Sequence, residues 1–331
     1  MLVRCISRIL LTSAMLVAAA TVAPATVAAA NEYPDRVVRI INPFPPGGSV
    51  DVMARLLAQK LSEQLGAQFI VEARTGAGGN TGAESVAKSE PDGYTLLFTA
   101  PGPLVVNPTL YGGALGFDPA KDFAPIALFA TTPLVLMLNN DVPAKNVPEL
   151  IALAKAKPGT INFGSAGIGS TPHLSGELFK HMAGIDITHI PYRGTGPAMA
   201  DLLGGHIQMF FDLLPTSLPQ IQAGKVRAVA NASLTRPASL PDLPTIAEQG
   251  LPGFNSISWF GLVAPAKMPE PAQARLIAAV KTVLATPDVA QRIRDLGAEP
   301  GTAFGKDFGA FMAAEANKWG EVVRISGAHA E

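Results

Sequence analysis

Apolar residues follow two alternating spacings along the chain, one typical of strands and the other of helices. Residues 37–41 form a short apolar, β-branched run that predicts a strand, and residues 42–48 form a loop rich in proline and glycine. From residue 50 to residue 65, apolar side chains recur three or four positions apart, which predicts an amphipathic helix that Gly66 ends. The alternation continues to about residue 230, and it indicates the α/β class, with parallel sheets covered by helices on both faces.

The middle of the chain gives further local signals. Two separate strands are predicted near residues 126–130 and 133–138, because each is a short apolar run. Asn146, followed three positions later by Glu149, predicts a capping box at the start of a helix.

Towards its end the chain changes from alternating elements to helices. Residues 256–264 predict one more strand, and a helix is predicted at 306–325. Since no long linker is visible, this late strand must return the chain to its first half. We therefore expect two lobes, one built from residues 33–130 plus 256–331 and the other from 131–255, joined by two crossings.

The first thirty residues have the pattern of a secretory signal peptide. Arg4 and Arg8 give a basic start, residues 9–23 are apolar, and residues 28–30 are three alanines. A membrane anchor is the alternative, but the apolar run is shorter than the roughly 20 residues that a span needs. We expect cleavage before Asn31 and a periplasmic protein.

Composition narrows the class of protein. Cys5, the single cysteine, precedes the apolar run, so the mature chain is expected to have no disulfide, no thiol nucleophile and no lipid anchor. The formal net charge is −1, too close to neutral to indicate a partner such as nucleic acid or an anionic membrane. No later apolar stretch is long enough to cross a bilayer, so we expect a soluble protein, most simply a monomer.

Motifs of the common cofactor and catalytic sites are missing from the sequence. There is no phosphate loop, and the glycine-rich stretches at 76–81 and 167–172 lack the last glycine of a dinucleotide fingerprint. Residues 47–51 end in Asp51 where a nucleophile elbow needs glycine, and the histidines show no metal-ligand spacing. We therefore expect no cofactor, no metal and no catalytic activity.

Three loops combine glycines with hydroxyl side chains immediately before predicted helices. They are residues 45–51, 164–172 and 191–197, and each follows a predicted strand. Free backbone N–H groups and the positive end of the helix dipole make such a position favourable for an anion. Any one of these loops could be ordinary capping, but together they indicate a binding site at the carboxyl ends of strands.

Four ionisable residues near these loops have two interpretations each. Arg193 could bind a ligand carboxylate or be a solvated loop residue. His173 falls in the first turn of a helix, where it could touch a ligand or only pack locally. Asp51 could accept hydrogen bonds at its helix start, and Asp212 could cap a helix or accept a hydrogen bond from a ligand.

The ordered set of motifs resembles the Bug (TctC-like) substrate-binding proteins of tripartite tricarboxylate transporters. The segments that carry the resemblance are residues 33–34, 41–51, 76–80, 91–96, 107–108, 121–123, 164–170, 191–194, 240–245 and 259–262. The chain departs from the family pattern at Ala73 and Thr75 on either side of Arg74. It also departs at 100–105, a segment richer in proline and apolar residues than in many members and located where the loops vary with ligand.

This resemblance implies a two-lobed periplasmic binding protein of type II, the Venus flytrap fold. It further implies a small organic carboxylate as ligand, of the dicarboxylate, tricarboxylate or acidic amino acid class, and delivery to a membrane permease. The loop around Ser49 would hold the ligand from one lobe, and the loops around Ser170 and Arg193 from the other. The predicted ligand-binding residues are Pro46, Gly47, Gly48, Ser49, Asp51, Ala100, Gly102, Ser165, Ala166, Gly167, Ser170, Thr171, His173, Arg193, Gly194, Thr195 and Asp212.

Two other functions remain open at this point. A cleft hydrolase or transferase could use Asp51, His173 or Asp212, although the sequence shows no nucleophile paired with a base. A periplasmic partner that presents its ligand to a sensor kinase would have the same sequence features as a transport receptor.

Overall fold

The computed structural model describes residues 33–326 and residue 328. The predicted signal peptide, Cys5 and His329 lie outside this range, so their interpretation stays a prediction. The strands are β1 Val38–Asn42, β2 Phe69–Ala73, β3 Thr95–Thr99, β4 Phe123–Leu138, β5 Asn162–Ser165, β6 Thr188–Pro191, β7 Met209–Leu213, β8 Arg227–Asn231, β9 Ile257–Pro265 and β10 Glu299–Pro300.

Eleven α-helices are assigned within the described range. They are α1 Ser49–Leu65, α2 Asn80–Ala87, α3 Asn107–Tyr111, α4 Pro119–Asp122, α5 Val147–Ala156, α6 Thr171–Ala183, α7 Thr195–Leu203, α8 Leu214–Gln222, α9 Glu270–Ala285, α10 Pro287–Asp295 and α11 Lys306–Ser326. Short turns of other helical types occur at Ala77–Gly79, Gly102–Val106 and Gly112–Ala114. None of the described helices is both long and apolar enough to span a membrane.

The first helices start and stop where the sequence indicates. Helix α1 begins after Gly48 and ends at Gly66, whose left-handed backbone (φ 69°) lets its N–H reach the Ser62 carbonyl at 3.1 Å. The predicted capping box of α5 is confirmed, because the Asn146 side chain accepts a hydrogen bond from the Glu149 N–H at 2.9 Å.

Parallel and antiparallel pairings share one sheet. Strand β1 lies between β2 and β3, and β5 lies between β6 and β7, all in parallel. Strands β4 and β9 pair antiparallel with their neighbours, so the sheet is mixed. The expected α/β class is confirmed, and the predicted parallel strands occur in both groups, but two long antiparallel strands, β4 and β9, run through the centre of the sheet.

Strand β4 links the two groups of parallel strands. Over residues 123–133 it pairs with β9, and over residues 134–138 it pairs with β7 and β8. The prediction of two separate strands at 126–130 and 133–138 is therefore wrong. Pro133 sits where β4 changes partners, so the ladder continues despite its missing N–H.

The chain returns to the first group of strands near Ser256. There the Ser256 N–H donates to the Ala232 carbonyl at 2.7 Å, and Ala232 in turn donates to Leu134 at 2.8 Å. The final helix, α11, packs against β4, α6 and the Gly102–Val106 turn, so it contacts elements of both strand groups.

Candidate functional site

A cavity of about 250 Å³, called the inner cavity here, lies where several strands end. Its walls come from the loops that follow β1, β3, β5 and β6, and from the last residue of β7. This is where open α/β sheets bind ligands. The residues that line it are Phe44, Pro45, Pro46, Gly47, Gly48, Ser49, Val50, Ala100, Gly102, Ala166, Ser170, Thr171, Pro172, Gly194, Thr195, Gly196, Pro197, Leu213 and Ser258.

One wall is the loop between β1 and α1, and Asp51 fixes its shape from behind. Gly47 has a left-handed backbone (φ 82°), and its N–H donates to the Asp51 carboxylate at 3.1 Å. Burial disfavours ionisation of Asp51, but hydrogen bonds from Arg55 and the Gly47 N–H outweigh it and hold the pKa of the carboxyl below its usual value. Asp51 is thus an acceptor at the helix start, and it does not line the inner cavity.

The opposite wall is the start of α6. Ser170 caps this helix by accepting a hydrogen bond from the His173 N–H at 3.4 Å, and its hydroxyl donates to the Gly167 carbonyl at 2.6 Å. Thr171 lies 3.2 Å from Ser258 of β9, oxygen to oxygen. Pro172 has no N–H and the His173 N–H is taken by Ser170, so Thr171 supplies the backbone donor of this wall.

A third wall is the start of α7. Gly194 adopts a backbone with φ 125° that side chains rarely allow, and an added Cβ would lie 2.9 Å from Pro45 across the cavity. Glycine here therefore permits the two loops to approach each other. Thr195 lines the cavity, and its hydroxyl donates at 3.4 Å to Asp212, which is completely buried.

Electrostatically, the inner cavity has neutral polar groups and apolar walls. Its polar side chains are the hydroxyls of Ser49, Ser170, Thr171, Thr195 and Ser258, of which Ser170 and Thr195 already donate to Gly167 and Asp212. None of the described side chains that line it carries a formal charge. Phenylalanine, proline, valine and leucine side chains supply the rest of the surface. The three helix starts α1, α6 and α7 therefore provide the positive potential, in place of arginine or lysine.

The structure brings eleven of the seventeen predicted residues to the inner cavity. They are Pro46, Gly47, Gly48, Ser49, Ala100, Gly102, Ala166, Ser170, Thr171, Gly194 and Thr195. The other six lie outside its lining, namely Asp51, Ser165, Gly167, His173, Arg193 and Asp212. The prediction overlooked eight lining residues: Phe44, Pro45, Val50, Pro172, Gly196, Pro197, Leu213 and Ser258.

Arg193 lies in a second, outer cavity of about 740 Å³. Gly167 and Tyr192 also line it, and it shares Phe44 and Pro45 with the inner cavity. Arg193 therefore lines a cavity that adjoins the inner cavity and does not line the inner cavity itself. The Tyr192 hydroxyl donates to Asp201 at 2.6 Å.

His173 belongs to a buried stack of rings behind the α6 wall. Its ring lies on that of His189 with centroids 4.1 Å apart, and His189 in turn lies on Phe163 at 4.9 Å. The Gly169 N–H donates to Nδ1 of His173 at 3.2 Å, while Nε2 of His189 is 2.7 Å from the Ser165 hydroxyl. Geometry thus favours local packing and hydrogen bonding as the role of His173.

We expect this histidine pair to destabilise the protein in mild acid. Burial lowers the pKa of His173 to about 4, and burial together with the charge of His173 lowers that of His189 to about 3. Unfolded histidine titrates near 6.5, so below that pH the unfolded state binds more protons and stability falls as the pH falls. Each histidine should contribute a slope of about 1.4 kcal/mol per pH unit between pH 6 and 4.

Urea unfolding at several pH values measures this slope. His189→Asn keeps a polar side chain opposite Ser165 but removes one titrating group. The slope of its unfolding free energy against pH should therefore be smaller by about 1.4 kcal/mol per pH unit, the equivalent of one proton. An unchanged slope in this variant would show that the acid sensitivity arises elsewhere.

No cluster of three or more metal-ligating side chains occurs in the part of the chain that the structure describes.

Comparison with known proteins shows what the whole chain is similar to. A family profile described as "Tripartite tricarboxylate transporter family receptor" matches residues 53–327. The periplasmic binding protein BugD is 36% identical, with a TM-score of 0.85 over 90% of this chain and 100% of that one. Rpa4515 of R. palustris, solved with adipate, is 38% identical, with a TM-score of 0.87 over 90% and 99%. MatC of Rhodopseudomonas palustris, solved with malate, is 34% identical, with a TM-score of 0.83 over 88% and 100%.

Proposed function

We propose that this protein captures a small organic carboxylate in the inner cavity. The chain belongs to the receptor family of tripartite tricarboxylate transporters, whose fold is that of the two-lobed periplasmic binding proteins. One observation carries the proposal: three helix starts meet at a cavity whose described lining bears no formal charge. A carboxylate is small, anionic and able to accept several hydrogen bonds, so it matches such a set of donors.

The carboxylate is held by groups from opposite sides of the cavity. Ser49 and the free N–H groups of α1 approach from one side, and Thr171 and Thr195 with their helix starts approach from the other. Backbone N–H groups have no side-chain rotamers to fix, so they are already ordered before the ligand arrives.

The apolar walls further restrict the ligand. A tricarboxylate would place additional charges against proline, valine and leucine side chains, which cannot replace lost water. An amino acid would bring an ammonium group, for which the described lining offers no carboxylate. We therefore expect a carboxylate with an unsubstituted hydrocarbon body, which fits with adipate in the related protein Rpa4515.

Closure of two lobes around the ligand is the expected mode of capture. The lobe boundaries proposed from sequence, 33–130 plus 256–331 against 131–255, are supported by two observations. Strand β4 changes partners after residue 133, and the chain returns at Ser256. Hinge closure would bring Ser49 to its observed place 3.1 Å from Thr216 of α8, oxygen to oxygen.

Delivery of the ligand to a membrane permease completes the proposed function. Export by the signal peptide at residues 1–30 would place the receptor in the periplasm, where the related binding protein BugD belongs. The family consists of receptors, and a receptor without catalysis agrees with the positions of Asp51, His173 and Asp212, all outside the cavity lining.

A thermal-shift series tests the ligand class. Adipate and hexanoate should raise the melting temperature more than malate, citrate or aspartate at equal concentration. A ligand at 100 times its Kd stabilises the folded state by about 2.7 kcal/mol, and each kcal/mol raises Tm by roughly 2–4 °C at this size.

Thr171→Val provides a matched variant for the series, because it removes one cavity hydroxyl while keeping the side-chain shape. It should reduce each shift by the equivalent of about 1 kcal/mol. The proposal fails if none of these acids shifts the melting temperature, and the expectation of an apolar body fails if citrate or aspartate gives the largest shift.

A further inference from the structure

We infer that Asp212 takes up a proton when a carboxylate anion enters the inner cavity, and that it thereby acts as a positioning residue through Thr195 and Thr216. This inference rests on the proposed function, since it concerns the same cavity and an anionic ligand. It adds that binding is linked to protons at a residue that does not touch the ligand.

The carboxyl group of Asp212 is enclosed and has only hydroxyl partners among side chains. The residue has no exposed surface, Oδ2 accepts from the Thr216 hydroxyl at 2.7 Å, and Oδ1 accepts from the Thr195 hydroxyl at 3.4 Å. No ion pair with a described Lys, Arg or His offsets its charge. Burial raises the pKa of Asp212 to about 7, against the opposing effect of these hydrogen bonds, so a small change nearby can alter its protonation.

Charged groups on the elements that pack against β7 do not contribute to the shift in the pKa of Asp212. Strand β7 packs against β4, β5, α6, α7 and α8, and of these only α6 and α7 carry titratable side chains. These side chains are His173, Glu177, Lys180 and His181 of α6 and Asp201 of α7, and none is among the causes of the shift in the pKa of Asp212. Across the cavity, Asp51 of α1 is paired with Arg55.

When Asp212 is ionised, the hydrogen bonds around it turn the hydroxyl protons of Ser49 and Thr195 away from an anion in the cavity. Thr195 must donate to Oδ1, and Thr216 must donate to Oδ2, because a carboxylate only accepts. Since the Thr216 proton is then occupied, the Ser49 hydroxyl has to donate in their 3.1 Å contact. Ser49 and Thr195 would present lone pairs to the ligand, and the buried charge would repel it.

Protonation reverses this chain of hydrogen bonds. The neutral carboxyl of Asp212 can donate to the Thr216 oxygen, and the Thr216 proton can then point to Ser49 or to the Leu213 carbonyl, 3.1 Å away. The Ser49 proton becomes available to a ligand oxygen, and the buried negative charge is gone. In the complete step, the protein binds one ligand anion and takes one proton from solvent, and that proton ends on the Asp212 carboxyl.

Isothermal titration calorimetry with adipate and with hexanoate, in buffers of low and high ionisation heat, counts the protons directly. The parent protein should take up a fraction of a proton near pH 7 and approach one at pH 8 to 9, with Kd rising up to tenfold per pH unit there. In this range His173 and His189 stay neutral, the pKa of Tyr192 is raised to about 12 by burial and by Asp201, and the ligand is ionised.

Asp212→Asn is the matched variant, because its amide keeps the shape and cannot titrate, its nitrogen can donate to the Thr216 oxygen, and its oxygen can still accept from Thr195. It should bind with no proton uptake, with a Kd independent of pH from 6 to 9 and, at pH 8.5, no weaker than the parent. A role that is only structural would instead weaken binding equally at every pH.

If the parent protein binds with no proton exchange at any pH, the inference is overturned and the proposed function still stands. The same holds if proton uptake is unchanged in Asp212→Asn. The parent titration decides the matter even if the variant does not fold. Absence of binding by both acids would overturn the proposed function together with this inference.

Discussion

Gly48→Val should abolish carboxylate binding while leaving the protein folded. Gly48 lines the inner cavity at the start of α1, and its backbone (φ −78°, ψ 170°) is extended, a conformation that valine adopts without strain. An added Cβ would meet only the Pro45 carbonyl, at 3.6 Å, which is ordinary van der Waals contact, so the first side-chain carbon causes no clash. It would compete with the ligand for a space of about 250 Å³ and keep its carboxylate from the N–H groups of α1.

The Kd of the variant should rise more than 100-fold, which corresponds to a loss of about 2.7 kcal/mol or more in binding free energy. Calorimetry with adipate measures it, and thermal unfolding checks the fold, since valine is a poorer N-cap than glycine and should cost roughly 1 kcal/mol. Gly113→Val is a suitable control, because Gly113 is exposed, does not line the inner cavity, and an added Cβ there contacts nothing within 4 Å. Tight binding by Gly48→Val would show that the start of α1 is not part of the binding site.

The glycine and hydroxyl pattern of the loops made most of the inner cavity predictable. Gly48, Ser170 and Thr195 each stand at a helix start directly after a strand, and the carboxyl ends of neighbouring strands meet at one edge of a sheet. Backbone donors at helix starts are thus visible in a sequence, because the residues that allow them are few and local.

Residues brought in by long-range pairing were not predictable in this way. Ser258 reaches the cavity because β9 runs antiparallel between β3 and β4, an arrangement that no local pattern encodes. Leu213 has the appearance of a core residue. Arg193 carries the chemistry expected at an anion site, yet the turn after β6 places it in the outer cavity. The glycine pattern therefore indicated more of the inner cavity's lining than the positive charge of Arg193 did.

The position of α11 was the least predictable part of the fold, and one buried side chain accounts for much of it. Oε2 of Glu315 accepts hydrogen bonds from the indole N–H groups of Trp259, at 3.1 Å, and Trp319, at 2.9 Å. Both indoles are fully buried, and Glu315 itself is 7% exposed. Since Trp259 belongs to β9 and Trp319 to α11, this carboxylate joins the last helix to the sheet.

Glu315→Ala should therefore strongly destabilise the protein. It leaves two buried indole donors without an acceptor, at about 1–3 kcal/mol each, so we expect a loss of about 2–5 kcal/mol in the free energy of unfolding. Glu315→Gln keeps an oxygen in place and loses only the ion pair with Lys318, which is partly exposed, so its loss should be less than half as large. Urea unfolding followed by circular dichroism compares the two variants. If glutamine is as damaging as alanine, the negative charge of Glu315, and not its role as an acceptor for the two indoles, is what holds the last helix.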